Sequence, residues 1–420
     1  MNYPFRNIIL RSQSTLSRTK TDNWKRVPHF NVLCIGDSNT GKTQLAQQLS
    51  GYSYDDIARQ TGSYNSKSPT DFSTKSTGWV EYEVGNSKFH CAHIDTPGNF
   101  INKNLSAAYN NFDICIWNIC SENGCTTTKH LELAKKLDKK KNTNGDFINR
   151  LLINVRNTPQ DVNEIDDEMK DLVLDDLRDH LEATGLGGVS EENIIFGSDD
   201  GLSLEKIKDS LTQICSNIED FKTNASTQST AIKPKTPHFS KIALERSFKV
   251  TDSNQQICIG ILEGTKELVP TQEALLISKN KIIPVEIKST GMFYKQTKTS
   301  LPNDRVNVWI KSKINKFEQH CKKGAVLLWG NKINNLKEVI EKNHFGKTFR
   351  VKNHQFEKNH SKISDYSKFQ KAGAHTWLEH IENFDGEILE IRDKWFAGVG
   401  DKITVFSTDD FCVFEVVEVL

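Results

Sequence analysis

The stretch Gly36-Asp37-Ser38-Asn39-Thr40-Gly41-Lys42-Thr43 constrains this chain more than any other. Two glycines separated by four residues, then Lys and Thr, fit a phosphate-binding loop. The stretch follows the apolar run Phe30 to Ile35, which reads as a buried strand, and precedes Gln44 to Leu49, which reads as a helix start. Glycines let backbone N–H groups wrap an anion, and a helix N-terminus adds the positive end of its dipole. Lys42 is placed to reach the outer phosphates and the Thr43 hydroxyl to ligate Mg²⁺. Residues Gly36, Asp37, Ser38, Asn39, Thr40, Gly41, Lys42 and Thr43 are therefore candidate nucleotide contacts. The alternative is a plain turn between strand and helix; the order strand, loop, helix favours the nucleotide site.

A length of 420 residues allows about three domains. The net charge of +1 excludes a global field toward nucleic acid, so any RNA contact must come from local patches. The nine cysteines show no paired metal-ligand spacing, and Cys115, Cys120 and Cys125 read as core thiols in a reducing compartment. No run of about 20 apolar residues exists, so no membrane span is predicted. Residues 1–21 carry Arg6, Arg11, Arg18 and Lys20, no acid, and an apolar side from Tyr3, Phe5, Ile8, Ile9 and Leu10. That pattern predicts a mitochondrial transit peptide over 1–27 and a matrix location, with a basic tail as the alternative.

From residue 29 to about 218, strand and helix patterns alternate. Lys88 to Ile94, Phe112 to Cys120, Arg150 to Asn154 and Asn193 to Phe196 suit a central sheet. Thr128 to Lys139, Asp166 to Ala183 and Leu204 to Ile218 are helical stretches. The expected α/β domain, 28–218, has a mostly parallel sheet with helices on both faces. Residues 219–240 are polar, carry Pro234 and Pro237, and read as a linker. Over 241–330, short strands around Phe248, Cys258, Leu276, Val285, Val308 and Leu327 predict a small closed barrel. Another strand-like tract runs over 331–420 and ends with Lys402 to Phe406 and Cys412 to Leu420.

Asp95-Thr96-Pro97-Gly98 ends the strand His90 to Ile94. In a phosphate-loop GTPase such an Asp holds a Mg²⁺-bound water, and the Gly N–H senses the γ-phosphate. Leu151-Leu152-Ile153-Asn154 then ends a strand where a base-reading Asn-Lys-x-Asp would lie. Here Val155 takes the place of Lys and Asn157 that of Asp. An amide cannot copy the two-point acceptance of a carboxylate; a lost hydrogen bond to a charged group costs about 1.5–3 kcal/mol, roughly ten- to a hundredfold in affinity. Ser198 and Asp199 occupy the loop beside the base. The alternative for 154–157 is a helix-capping turn.

Together these residues resemble elongation factor Tu, most of all a mitochondrial version. The likeness extends through Phe112 to Trp117, Glu122-Asn123-Gly124, Thr128 to Ala134, Thr290 to Lys295 and Lys323 to Leu327. It implies a GTPase domain followed by two β-barrel domains, 241–330 and 331–420. It also implies GTP/GDP and Mg²⁺ as ligands, and delivery of aminoacyl-tRNA to the mitochondrial ribosome. The implied protein is a monomer off the membrane, reloaded by a guanine-nucleotide exchange factor of the Ts type. Asn99, Lys42 and Asp95 would carry catalysis; Thr43, Asp95 and Thr74 (or Thr77) would hold the metal; Gly98, Asn154, Asn157, Ser198 and Asp199 would complete the nucleotide site. The family has His where this chain has Asn99, so hydrolysis is expected to be slow. The family's hydrophobic gate residue is matched by the polar Ser38. Lys103-Asn104 resembles the pair at the tRNA 5′ end, or is an ordinary solvated helix segment. In the first barrel Glu245 and Phe248 keep the pattern around the aminoacyl group, whereas Arg246 and Arg305 replace Asp and Asn. Ser407 to Phe411 matches a third-domain loop poorly. Without a long C-terminal extension, the expectation leans away from the selenocysteine-specific branch. These departures leave a second reading open: a degenerate, non-hydrolysing paralogue that acts as a binding or ribosome-associated regulatory protein.

Overall fold

The structure, a computed structural model, describes residues 27–37, 40–52, 78–96, 112–121, 150–157, 165–184, 186, 189–197, 201–228, 239–244, 246–250, 255–264, 267–278, 281–292, 295–322, 325–330, 348–353, 378–384, 388–393, 402–406 and 411–419. One compact unit is built on residues 234–345; the other is built on 28–233 with 346–393 and 397–420.

The second of these units holds a six-stranded sheet. Its strands are β1 (His29–Ile35), β2 (Gly78–Val84), β3 (Phe89–Asp95), β4 (Ile114–Cys120), β5 (Leu151–Arg156) and β6 (Ile194–Gly197), in the order β2-β3-β1-β4-β5-β6. Only the edge pair β2–β3 is antiparallel; β1 runs parallel to β3 and β4, and β5 to β4 and β6. Every residue of β1, β3, β4 and β5 is buried. Burial on both faces is why these strands are apolar runs rather than alternating ones.

Helix α1 (Lys42–Ser50) places Leu45 and Leu49 on one face of the sheet. Helix α3 (Gly201–Gln228) adds Ile207, Leu211, Ile214, Cys215 and Ile218 to the same cluster, against Phe30, Val32, Tyr82, Ile116 and Leu152. Each such side chain contributes about 1.5–3 kcal/mol on full burial. Because α3 continues to Gln228, residues 219–228, expected as linker, are helical. Helix α2 (Asp167–Thr184) starts with Asp166 Oδ1 accepting the Met169 N–H at 2.7 Å. Asp167 and Glu168 then sit at the positive end of its dipole. No described helix is long and apolar enough to cross a membrane.

The unit on 234–345 is a β-barrel. Strands β7 (Phe239–Ala243), β9 (Gln255–Gly264), β10 (Glu273–Ser278), β11 (Lys281–Met292), β13 (Arg305–Lys311) and β14 (Val326–Gly330) follow the path β10-β14-β7-β9-β13-β11, and β11 pairs back to β10. Two short strands attach to this ring: β8 (Arg246–Lys249) on β9 and β12 (Lys295–Thr297) on β11. Alternate residues face inward, so Val306, Val308 and Ile310 meet Cys258, Leu276 and Trp329 in one core. Trp329 is fully buried and its Nε1–H donates to the Glu267 carbonyl at 3.0 Å. The remaining strands, β15 (Thr348–Asn353), β16 (Leu378–Phe384), β17 (Ile388–Asp393), β18 (Lys402–Phe406) and β19 (Phe411–Val419), form an antiparallel sheet in the order β16-β17-β15-β19-β18.

Trp329 fills the barrel and uses its one polar atom, so Trp329→Ala should cost about 3–5 kcal/mol. Chemical denaturation followed in the 234–345 unit checks this.

Candidate functional site

The site begins where β1 ends. Gly36 has φ +142°, and a Cβ there would meet the Asn118 carbonyl oxygen at 2.3 Å and Thr40 Oγ1 at 2.8 Å. The carbonyl belongs to the backbone of the next strand and cannot yield, so only glycine lets the chain turn here. Gly41 closes the loop in the left-handed region (φ +77°) and its carbonyl accepts the Leu45 N–H at 2.9 Å, starting α1. Thr40 Oγ1 donates to the Asp37 carbonyl at 2.9 Å. Lys42 Nζ donates to that same carbonyl, and to Thr40 Oγ1 at 3.3 Å. Lys42 is buried; desolvation lowers its pKa, and the neighbouring Asp95 carboxylate works in the opposite direction.

Parallel register sets the other side of the site. Cys34 is opposite Asp95 on β3 and Ile116 on β4, and Asn118 is opposite Asn154 on β5. The carboxyl ends of these strands therefore line up beside the loop, where open α/β sheets bind ligands. Asp95 is fully buried. Its Oδ2 accepts the Thr43 hydroxyl at 2.8 Å, and its Oδ1 has no hydrogen-bond partner among the described residues. Desolvation pushes its pKa up to about 6, against the Thr43 hydrogen bond and the Lys42 charge. A buried carboxylate oxygen with an unused lone pair next to a hydroxyl is a donor set suited to a hard cation. Thr43 and Asp95 are the residues that would hold Mg²⁺. No group of three or more His, Cys, Asp or Glu side chains forms a metal cluster among the described residues.

On the base side, Asn154 is buried and its Nδ2 donates to Asn118 Oδ1 at 2.6 Å; Asn118 Nδ2 donates to Cys34 Sγ at 2.8 Å. This relay joins β5 to β1 beneath the loop. Asn154 Oδ1 is buried with no hydrogen-bond partner among the described residues. Asn157 Oδ1 accepts the Ser121 hydroxyl at 2.6 Å. Asn118 and Ser121 were not singled out by sequence; the one signal for Asn118 is a polar residue inside the apolar run Ile114 to Cys120.

Gly36, Asp37, Thr40, Gly41, Lys42, Thr43, Asp95, Asn154 and Asn157 thus lie at the loop or at the adjoining strand ends. Ser38, Asn39, Thr74, Gly98, Asn99, Ser198 and Asp199 lie outside the described residues, as do Lys103, Asn104 and Glu245. In the barrel, the backbone of Arg246 is in register with Ile259 and that of Arg305 with Ile261. Arg305 is only 7% exposed, and does not turn outward into solvent.

No family model matches the chain. Solved structures do. A bacterial selenocysteine-specific elongation factor, EF-Sec, superposes with a TM-score of 0.64 at 17% identity, over 93% of this chain and 58% of that one. SelB of Methanococcus maripaludis, in complex with a GTP analogue, gives 0.58 at 15% identity, over 94% and 80%. The Ski7 GTPase-like domain of S. cerevisiae, bound to GDP and inorganic phosphate, gives 0.60 at 13% identity, over 94% and 98%. This chain spans little more than half the length of the EF-Sec structure. The fold is thereby that of a P-loop GTPase domain, with a mostly parallel sheet, followed by β-barrel domains.

A carboxyl whose folded pKa lies above its unfolded value favours the folded state while protonated. For Asp95 that contribution is complete below about pH 4 and is lost as pH rises through about 6. The difference from an ordinary carboxyl corresponds to about 3 kcal/mol. Asp95→Asn cannot ionise, so in cation-free buffer it should be more stable than the parent by about 2–3 kcal/mol at pH 7, with the difference fading toward pH 4. Urea denaturation at the two pH values measures this.

Proposed function

We propose that the chain is a translational GTPase of the elongation factor Tu type, which binds GTP with Mg²⁺ and carries aminoacyl-tRNA to the mitochondrial ribosome. The observation that carries this is the geometry at the carboxyl ends of β1 and β3: a glycine-bounded loop opening a helix, Lys42 folded onto it, and the Thr43–Asp95 pair beside it. The loop's N–H groups and Lys42 would take the phosphates, Lys42 exchanging the Asp37 carbonyl for a phosphate oxygen. Thr43 and Asp95, with Thr74, would hold Mg²⁺, which screens the phosphate charge when bound. Asn99 would orient the attacking water by hydrogen bonding but cannot become an imidazolium, so hydrolysis is slow. The remaining proposals follow from the resemblance: residues 1–27 as a transit peptide to the matrix, a monomeric state, and reloading by a Ts-type exchange factor.

A second reading is favoured by one contact. The Asn157 amide oxygen already accepts the Ser121 hydroxyl, which weakens acceptance from guanine further. On that reading the chain is a nucleotide-holding paralogue that regulates or binds at the ribosome without turnover.

GTP-dependent protection of aminoacyl-tRNA from deacylation is the deciding measurement. Protection is expected with GTP and not with GDP; none with either refutes tRNA delivery. Under the first reading Asn99→His should raise ribosome-stimulated turnover by roughly tenfold or more, while under the second it restores nothing.

A further inference from the structure

Not every buried cation has a role in the function proposed above. Arg156 ends β5 and is 7% exposed. It lies two residues beyond Asn154, so the two side chains leave the same face of the sheet. Its guanidinium reaches the phosphate loop: a Cβ on Gly41 would meet Nη1 at 3.3 Å and Cδ at 3.5 Å. Its stem passes Gly197 at the end of β6, where a Cβ would meet Cγ at 3.3 Å. The two glycines leave a slot that this side chain occupies. Its backbone is fixed as well, because the Arg156 carbonyl accepts the Ser121 N–H at 2.8 Å and Arg156 is in register with Cys120 and Gly197. Val155, by contrast, is fully buried in the apolar layer opposite Ile119 and Phe196. Position 155 faces the opposite side of the sheet from Asn154 and Arg156.

We infer that Arg156 is a direct nucleotide-phosphate ligand, its guanidinium reaching across Gly41 to the phosphate nearest the ribose. This rests on the nucleotide reading of the loop. Lys42, the first residue of α1, is folded toward Asp37 and Thr40; Arg156 approaches from the end of β5, so the two cations reach the loop from different elements. A guanidinium suits the role because it keeps its charge when buried and offers donors in a fixed plane, two of which match phosphate oxygens. An ammonium on the shorter Lys stem would supply the charge without the fork. The base-side affinity lost at Asn157 is on this view partly offset by a phosphate contact, so binding depends more on the phosphates and less on the base.

The test is calorimetric titration of the full chain, as the parent, Arg156→Gln and Arg156→Lys, with GDP, inorganic pyrophosphate and guanosine. Circular dichroism and the thermal midpoint of each variant confirm folding. Arg156→Gln should weaken GDP and pyrophosphate binding by about ten- to a hundredfold. Arg156→Lys should recover part of that loss, and guanosine affinity should not change. Unchanged or tighter GDP binding in Arg156→Gln overturns the inference. So does an equal loss for guanosine, which would put the residue on the base or in the fold. If the parent takes up neither GDP nor pyrophosphate, the nucleotide reading itself fails, a result distinct from a parent that binds and a variant that binds equally well.

Discussion

The approach of Gly36 to the Asn118 carbonyl is the contact on which the site depends. At 2.3 Å from where a Cβ would stand, the oxygen leaves room for a hydrogen and nothing larger. The chain can therefore leave β1 across the end of β4 instead of climbing away from the sheet, and that low exit brings Thr43 within 2.8 Å of Asp95. Asn118 serves the opposite direction too. Its side chain takes a hydrogen bond from Asn154 and gives one to Cys34, so a single residue of β4 spaces the phosphate end from the base end. Both amide contacts are buried, where an unmade hydrogen bond is costly, and this holds the spacing rigid.

Electrostatics at the loop are dominated by burial. Lys42, Asp95 and Arg156 are all nearly inaccessible to water. Desolvation holds the Asp95 pKa near 6 against the Lys42 charge, and the same burial lowers that of Lys42. The loop residues fit the phosphate-binding motif in the sequence, whereas Val155 and Asn157 depart from the base-reading motif.

Strands were legible in the sequence where both faces are buried, because β1, β3, β4 and β5 are largely apolar and do not alternate. The barrel strands were legible through alternation, as in β9 and β11. A small closed barrel was expected from the regular short strands, but its closure through β10 and β11 and the path of the ring were not, since pairing order depends on contacts distant in sequence. Helix α3 ran past its expected end because polar residues suit a helix as well as a linker. Gly36, Gly41, Lys42, Thr43 and Asp95 were readable because their chemistry demands those residue types at that spacing. Asn118 and Arg156 were not, because each acts through neighbours on other strands: nothing near Arg156 in sequence tells of Gly41.

Among the described residues, seven cysteines are enclosed thiols outside any disulfide. Cys34, Cys91, Cys115, Cys120 and Cys215 belong to the α/β part, Cys258 and Cys321 to the barrel. An alkylating reagent applied to the intact molecule meets these sulfurs only when their surroundings open. The two sets consequently act as separate built-in clocks, and peptide mapping of the modified sites would time the opening of each unit without any introduced label.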